Sequence, residues 1–385
     1  MSTAPSNIAL RYSQRRVLLL SLVPLVLLFL ITVTLSRTYH VREQHLAQQW
    51  FAQGNRDLAS GNPSEALADF RNALSYEPGN ELFQLRLAEA LLAGDRLPEA
   101  NSYLLNLWDR TPGSGQINLD LAHIAERMGQ IDPAIRYYRQ ALFGSWETDP
   151  AKQRENVRLE LCRFLLDHGR LAEAGEELSA LAAEIPSEDG PLHKLTGDLF
   201  LRAGDSARAF TEFETALRSD PREGQWLGDA GKAAYDLGDY QKAENYLARA
   251  NRANPSDANR ELLETVRTVL RADPYLSGLS DDEQVRRTQH AFEQAMTRLQ
   301  SCTASFSAQP NGAAAPQLQT LSKNVDELKG RVNLQTLSRE RGTRDEAMHL
   351  VFQIEKVTAG VCGKPSGVDQ ALLLIGNRRE GSSNE

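Results

Sequence analysis

Histidine, cysteine and carboxylate side chains are the residues of this 385-residue chain that could carry catalysis or bind a metal. His123 and His168 have no second His, Asp or Glu at a recognised ligand spacing, so neither predicts a metal site. Cys162 and His168 are six residues apart, which places them on different sides of a helix and argues against a thiol–imidazole pair. Cys162 is interpreted as a small core residue. The sequence therefore predicts no metal, no cofactor and no catalytic pair at these positions.

The last third of the chain, residues 274–385, is the other region that could carry chemistry. It contains no Gly-rich phosphate loop, no HExxH motif, no nucleophile motif and no clustered carboxylates. Asp281, Asp282 and Glu283 are typical of the first turn of a helix, where the dipole favours acids. The leading prediction is that the protein is not an enzyme, and catalysis in this region stays an alternative.

Composition predicts an all-α protein that can bury substantial cores. Hydrophobic residues make up 41% of the chain, and Val and Ile are scarce after the first 40 residues. The 43 Lys and Arg residues are outnumbered by 51 Asp and Glu, which gives a net charge of −8 at pH 7. Nucleic-acid binding normally needs a basic face, so it is not predicted.

An apolar segment near the N-terminus predicts a membrane anchor at residues 17–36. No charged residue occurs between Arg16 and Arg37, and the apolar run spans roughly 28 Å as a helix, close to a bilayer's hydrocarbon thickness. A cleaved signal peptide is the rival interpretation, but no A-x-A site follows, which favours an uncleaved signal-anchor. Arg11 and Arg15 also precede the segment, so residues 1–16 are predicted to be cytoplasmic and the body extracytoplasmic.

Internal repetition is the strongest pattern in the sequence. Six segments each open with an alanine, and successive alanines are separated by 34, 34, 40, 35 and 34 residues. These are Ala66, Ala100, Ala134, Ala174, Ala209 and Ala243. A structural unit of fixed length explains the spacing, and this period is typical of stacked helical hairpins.

Each unit has the residues that two packed helices need. Five positions before the alanine stands a turn residue, which is glycine in five units and Asp95 in the second. Four positions after it stands a large residue, such as Phe70 in the first unit, which gives the second helix an apolar stripe. The first helix has a small residue where the two helices approach: Gly54, Ala88, Ala122, Cys162, Gly197 and Gly231.

The first and last units resemble the tetratricopeptide-repeat (TPR) family. The residues that carry the resemblance are Trp50, Gly54, Ala66, Phe70, Ala73 and Pro78, and then Gly231, Gly238, Tyr240, Ala243, Ala250 and Pro255. It implies an α-solenoid, a right-handed superhelix of hairpins, with repeats at 47–80, 81–114, 115–148, 155–188, 190–223 and 224–257 and a capping helix at 258–273. The third unit departs from the pattern, because Trp146 replaces the expected proline and about six residues are added. This predicts a longer loop near Glu147–Gln153.

Members of the TPR family hold peptides in a concave groove lined by their first helices, so the resemblance implies a protein-binding groove. We predict that it contains the residue after each small first-helix residue, together with polar neighbours. The predicted groove residues are Asn55, Arg86, Glu89, Asp120, His123, Arg127, Arg163, Asp167, Lys194, Asp198, Arg202, Lys232 and Tyr235.

Beyond the repeats, residues 274–385 predict a small helical module. One seam with coiled-coil-like spacing ends at Cys302, a flexible linker follows at 303–317, and a second seam occupies 318–332. The second seam could pack within the module or pair with another chain as a homodimer. A third helix is predicted from Asp345 to Val361, after a break at Gly342. Three helices that reverse direction would bring Cys302 close to Cys362, so either a disulfide or two free thiols is expected.

The leading hypothesis is a scaffold that binds protein partners beside a bacterial inner membrane and organises an envelope complex. It follows from the resemblance to anchored bacterial TPR proteins. One alternative is a cytoplasm-facing regulator of an envelope biosynthetic enzyme. A lipopolysaccharide-assembly family is similar in its anchor and repeats, although its paired CxxC metal ligands are absent here. The remaining alternative is an enzyme or ligand-binding activity in the C-terminal module.

Overall fold

The computed structural model describes residues 7–306 and 315–382, and within these ranges the chain is all-α, as predicted. The described residues form 18 helices and no strand, with a single isolated bridge between Ser114 and Ser145. The chain divides into two compact units, one that ends at His168 and one that begins at Gly169. Each unit is described by itself below.

The first unit contains seven helices. They are α1 (Asn7–Ala59), α2 (Pro63–Tyr76), α3 (Glu81–Ala93), α4 (Leu97–Arg110), α5 (Gly115–Arg127), α6 (Ile131–Phe143) and α7 (Pro150–Asp167). The second unit contains six helices of the repeat region and five beyond it. The former are α8 (Leu171–Glu184), α9 (Gly190–Arg202), α10 (Ser206–Ser219), α11 (Gly224–Asp236), α12 (Tyr240–Ala253) and α13 (Asp257–Ala272), the last of which occupies the predicted capping position.

Helix α1 combines two predicted elements without a break between them. Its stretch from Pro24 to Ala59 is long and apolar enough to cross a membrane, and the apolar window is not buried in the protein. A signal sequence would meet the same criteria. Further along the same helix, Ala47 and Gly54 are buried in the first repeat. The predicted anchor and the first helix of the repeats are therefore one continuous helix.

The small residue on each first helix makes room for the large residue on the second. A Cβ atom placed on Gly54 would lie 2.7 Å from Cε1 of Phe70, and one on Gly197 would lie 2.6 Å from Cε1 of Phe213. Both phenylalanines are fully buried. Because contacts this short do not occur between real Cβ atoms and their neighbours, only glycine allows these helices to approach so closely.

The turn between the two helices of a hairpin requires a left-handed backbone. Gly129 has φ = 69°, and in the second repeat Asp95 takes the corresponding conformation with φ = 57°. Aspartate tolerates this region better than most residues do. Asp95 therefore forms the same turn that glycine forms in the other repeats.

The irregular third repeat differs from the sequence prediction. Residues Glu147–Gln153 were expected to form a loop, but α7 begins at Pro150, with Asp149 as its N-cap, and has 18 residues. The added residues therefore lengthen a helix. Trp146 covers the N-terminus of α5, since a Cβ on Gly115 would lie 2.3 Å from its ring. The third repeat therefore ends with an aromatic ring packed on α5, at the position where the repeat pattern has a proline.

The C-terminal module contains more helices than the sequence predicted. They are α14 (Asp281–Phe306), α15 (Ala315–Leu328), α16 (Leu334–Arg339), α17 (Arg341–Val361) and α18 (Gly367–Ser382). The predicted linker 303–317 is too long at both ends, since α14 and α15 extend into it; its middle, 307–314, lies outside the described residues. A break precedes α17 as predicted, but it falls at Glu340, and Gly342 lies in the first turn of α17, so the predicted position is displaced by two residues.

The seam at 318–332 is buried within its own chain. Leu318, Leu321, Val325, Leu328 and Val332 are all buried, and α15 contacts both α14 and α17. A homodimer through this seam would need these side chains to be available to a second chain. The prediction of such a homodimer is therefore not supported, and the module uses the seam as part of its core.

Two linkages hold α14 to the end of α17. Cys302 and Cys362 are joined as a disulfide, with 5.8 Å between their Cα atoms. One turn earlier, Arg298 donates to Thr358 Oγ1 (2.8 Å) and to the Gly363 carbonyl (2.9 Å). Its Nε also lies 3.2 Å from the carboxylate of Glu355, which is fully buried. The disulfide and the Arg298 network stabilise the same helix pair.

Candidate protein-binding groove

All thirteen predicted groove residues lie on the first helix of a hairpin. Eight belong to the first unit, on α1, α3, α5 and α7, and we call them the first-unit row: Asn55, Arg86, Glu89, Asp120, His123, Arg127, Arg163 and Asp167. Five belong to the second unit, on α9 and α11, and form the second-unit row: Lys194, Asp198, Arg202, Lys232 and Tyr235. The repeat register therefore placed each of these residues on the intended helix.

The centre of the first-unit row is a pair of carboxyl groups on neighbouring helices. Arg86 Nη1 donates to Glu89 Oε2 at 2.6 Å on α3. On α5, Asp120 is only 4% exposed, its Oδ1 accepts from Gln116 Nε2 (3.0 Å), and its Oδ2 has no hydrogen-bond partner in the protein. Burial, together with the charge of Glu89, raises the pKa of Asp120 to about 8. Asp120 is consequently protonated in much of the population at neutral pH.

His123 forms the second contact of this row, with a residue that was not predicted. Its Nε2 lies 2.7 Å from Oε2 of Glu160 on α7. Although burial favours the neutral ring, the hydrogen bond and charge of Glu160 raise the pKa of His123 above its ordinary value. The imidazole and the carboxylate thus tie α5 to α7.

Two predicted residues of the first unit serve different ends. Arg127 Nη1 donates to the Leu92 carbonyl at 2.7 Å, which links α5 to the end of α3, so this side chain supports the stacking of hairpins. Arg163 is exposed on α7 and is accessible to a partner. The row therefore combines structural and accessible positions.

The second-unit row is built around one lysine. Lys194 Nζ donates to Asp198 Oδ2 at 2.6 Å and lies 3.6 Å from Asp229 Oδ2 on α11. Burial opposes its charge, but the hydrogen bond to Asp198 and the charge of Asp229 raise the pKa of Lys194. Lys232 is exposed, and Tyr235 is half-buried on the same helix.

Glu160 and Asp229 contact the predicted groove residues but were not themselves predicted. Their positions in the repeats could have indicated them. Arg86 and Asp120 each stand two positions before the small first-helix residue of their repeat. Glu160 and Asp229 occupy that same position before Cys162 and Gly231. A rule that assigned the residue two positions before each small first-helix residue to the groove would have predicted both Glu160 and Asp229.

Three stretches of the chain match models of the tetratricopeptide repeat: residues 57–107, 115–142 and 195–258. They fall on the helical hairpins described above. The chain contains tetratricopeptide repeats over these residues.

Curated relatives of this TPR protein are distant. The DnaJ homolog subfamily C member 3 of mouse is 21% identical over 261 residues, which cover 61% of this chain and 51% of the relative. The human protein of the same name is 20% identical over 270 residues, covering 64% and 52%. The TPR protein thus spans about half the length of the curated relatives it matches.

Solved structures with a similar helical arrangement include PilF and PilW. Pseudomonas aeruginosa PilF is 14% identical with a TM-score of 0.40, and the match covers 57% of this chain and 96% of PilF. PilW, described as a widely conserved type IV pilus biogenesis factor, is 21% identical with a TM-score of 0.38, covering 57% and 98%. At these scores, the choice of partner has to be argued from the residues of this chain.

The protonation of Asp120 predicts a pH-dependent effect of Asp120→Asn. An unfolded aspartate has a pKa near 4, so between about pH 4 and pH 8 the folded state binds more protons and loses stability as the pH rises. Asparagine keeps the acceptor for Gln116 and removes the titration. We expect the variant to match the parent protein at pH 5 and to exceed its free energy of unfolding by about 3–4 kcal/mol at pH 8.

Urea unfolding at both pH values measures this difference. The matched control is Asp109→Asn on α4, where the side chain is exposed, and it should change stability equally at pH 5 and pH 8. A parallel pH profile for Asp120→Asn and the parent protein would show that Asp120 is ionised throughout.

Proposed function

We propose that this TPR protein is a membrane-tethered scaffold that binds protein partners through its two first-helix rows and helps to organise an envelope complex. The observation that carries the proposal is the continuity of α1, which contains both the candidate span and a helix of the first repeat. From Leu35 to Ala47 the helix advances roughly 18 Å. A groove attached in this way stays beside the bilayer, where the segments of membrane proteins are concentrated.

We place the body on the extracytoplasmic side of a bacterial inner membrane. The arginines before the anchor favour a cytoplasmic N-terminus, and the joined Cys302 and Cys362 suit an oxidising compartment. Protease treatment of spheroplasts tests this topology. Digestion of the repeats in intact spheroplasts is the expected result, whereas protection until lysis would favour the cytoplasm-facing regulator.

Binding through the rows predicts that exposed first-helix cations contribute to partner affinity. Arg163→Ala and Lys232→Ala each remove a charged donor without disturbing a buried contact. Since a hydrogen bond to a charged group contributes about 1.5–3 kcal/mol, each change should weaken partner binding about tenfold or more. Recovery of partners after affinity purification in detergent, with the anchor intact, provides the measurement.

The matched controls carry the same loss of charge on second helices. Arg71→Ala on α2 and Arg218→Ala on α10 remove exposed arginines and should leave recovery unchanged. Equal recovery with all four variants would contradict the assignment of binding to the first-helix rows.

Catalysis in the C-terminal module is the weaker candidate. Its most perturbed acid, Glu355, is fully enclosed beside Arg298, and burial raises the pKa of Glu355 to about 8. An enclosed pair that joins two helices is arranged for stability and offers no path to a substrate. We therefore favour binding over an enzyme activity.

A further inference from the structure

A cavity of about 380 Å³ lies at one edge of the first unit, beside the loops that connect one hairpin to the next. Its walls come from the start of α3, the end of α4, the start of α5 and the residues that follow α6. None of the thirteen predicted groove residues lines this cavity, which we call the edge cavity. The edge cavity is therefore separate from the first-unit row.

The inner wall of the edge cavity is apolar. Leu107 and Ile117 are 1% and 5% exposed and belong to the core, and Leu85 packs against the same core cluster. Leu82, in the first turn of α3, also lines the cavity and is 45% exposed. A ligand side chain in the cavity would cover this leucine, so the burial of apolar surface would favour binding. The volume suits a large apolar side chain, such as that of leucine or phenylalanine.

The rim of the edge cavity is held in place by backbone hydrogen bonds between two loops. The Gly115 amide donates to the Ser145 carbonyl (2.9 Å), and the Ser145 amide donates to the Gly113 carbonyl (2.8 Å). These bonds accompany the isolated bridge between Ser114 and Ser145. Because loops connected in this way need not be ordered again when a ligand arrives, binding costs less conformational entropy.

The charged residues that line the edge cavity are both acidic. Glu81 Oε1 lies 3.3 Å from Arg110 Nη1, which neutralises part of its charge. Glu147 is exposed and has no ion pair or hydrogen bond within the part of the chain that the structure describes. A cation next to the bound apolar side chain would complement this uncompensated charge, whereas a further anion would be repelled.

We propose that the edge cavity binds a segment of a partner polypeptide in which a large apolar residue stands next to a lysine or arginine. The apolar side chain covers Leu82 and contacts the buried wall, and the neighbouring cation pairs with Glu147. This contact goes beyond the proposed function, because it gives the scaffold a second point of attachment that does not use the first-helix rows.

Other occupants fit this chemistry less well. The segments of this sequence that lie outside the described ranges, 1–6, 307–314 and 383–385, contain no lysine or arginine. A second copy of the chain that met this edge symmetrically would bring the two acidic rims together, since each copy contributes the same surface. Like charges oppose such a contact. A basic segment of a different protein is therefore the occupant that the charge of the rim favours.

Ligand-observed ¹⁹F NMR on the full-length protein in a non-ionic detergent tests the proposal. The probe is the N-acetylated dipeptide amide of 4-fluorophenylalanine and lysine, and its control has glutamate in place of the lysine. We expect the lysine probe to bind about threefold or more tightly at low ionic strength, and this preference to decline in about 1 M NaCl, because salt screens exposed charges. Equal binding of the two probes at low ionic strength would overturn the proposal.

Two variants test the two parts of the site separately. Glu147→Gln should bring the affinity ratio of the two probes close to one, while Glu65→Gln, at an exposed position on α2, should preserve the ratio. Leu82→Ala should weaken the binding of both probes about threefold or more, whereas Leu334→Ala, which truncates an exposed leucine on α16, should not. All four positions are exposed, so the variants are expected to fold. Unchanged binding in Leu82→Ala, or a preserved lysine preference in Glu147→Gln, would show that the probe binds elsewhere.

The oligomeric state and the first-helix variants complete the test. Sedimentation in the same detergent should give a particle mass that Leu82→Ala does not change. A dimer that Leu82→Ala dissociates would instead assign the edge cavity to a second copy of the chain and refute the proposal. Arg163→Ala and Lys232→Ala should leave probe binding unchanged, because neither residue lines the cavity. Failure of this proposal is therefore distinguishable from failure of binding through the first-helix rows.

Discussion

We expect Phe213→Ala to lower the free energy of unfolding of the second unit by about 3–5 kcal/mol. Phe213 is fully buried, and its ring lies against the backbone of Gly197 on the facing helix. Removing the ring leaves a cavity that cannot be filled from the other side, since Gly197 has no side chain that could move into it. The loss should be largest in α9 and α10, the two helices that this contact joins.

Hydrogen exchange of backbone amides measures the effect at the right place. Repeat proteins do not always unfold in one cooperative step, so a global midpoint alone could conceal a local loss. In Phe213→Ala, the exchange rates of amides in α9 and α10 should rise relative to the parent protein. The rise should be larger than that of amides in α14 and α17. A urea titration then gives the total change.

The chain provides a matched control for this substitution. Phe143 is 87% exposed at the end of α6, and Phe143→Ala should change stability by less than about 0.5 kcal/mol. Similar small effects at both phenylalanines would contradict the packing of the hairpin.

The hairpins could be predicted because their packing is repeated and local. Ala66, Ala134 and Ala243 lie on α2, α6 and α12, the second helices of their repeats, and all three are fully buried. Each of these helices meets a partner only a few residues away along the chain. A pattern of small, large and turn residues is then sufficient to determine the pair.

The irregular elements depend on contacts that a repeat pattern does not contain. Trp146 takes its position from Gly115, some thirty residues earlier, and no repeat rule relates the two. Helix α18 was missed for a similar reason. Its buried residues pack on α13 and α17, and Gly376 lies against Phe352. The stability of such a helix comes from tertiary packing more than from its own sequence.

The helix that carries each candidate groove residue was predictable, but the chemistry of those residues was not. Register alone assigned Asp120 and His123 to first helices. Whether Asp120 is protonated depends on its burial and on its distance from Glu89, and His123 depends on Glu160 of the next repeat. These quantities follow from side-chain geometry between helices, which spacing along one chain does not provide.

Reduction of the Cys302–Cys362 disulfide should lower the stability of the C-terminal module by about 4 kcal/mol. The bond closes a loop with a sequence separation of 60 residues. In the chain-entropy model, a loop of this length restricts the unfolded chain strongly, and opening the bond returns that freedom. The Arg298 contacts to Thr358 and Gly363 remain after reduction, so the helices should stay paired but unfold at a lower urea concentration.

The variant Cys302→Ala/Cys362→Ala distinguishes the disulfide from other effects of a reductant. The parent protein should lose stability when dithiothreitol is added, and the double variant should be less stable throughout and insensitive to the reductant. Cys162 is buried in the first unit and is present in both proteins, so it cancels in the comparison. Peptide mapping without reduction that finds both thiols free would contradict the bond. The same comparison bears on location, because the cytosol keeps most thiols reduced. A module that needs this bond to remain folded at growth temperature would function in an oxidising compartment, in agreement with the topology proposed above.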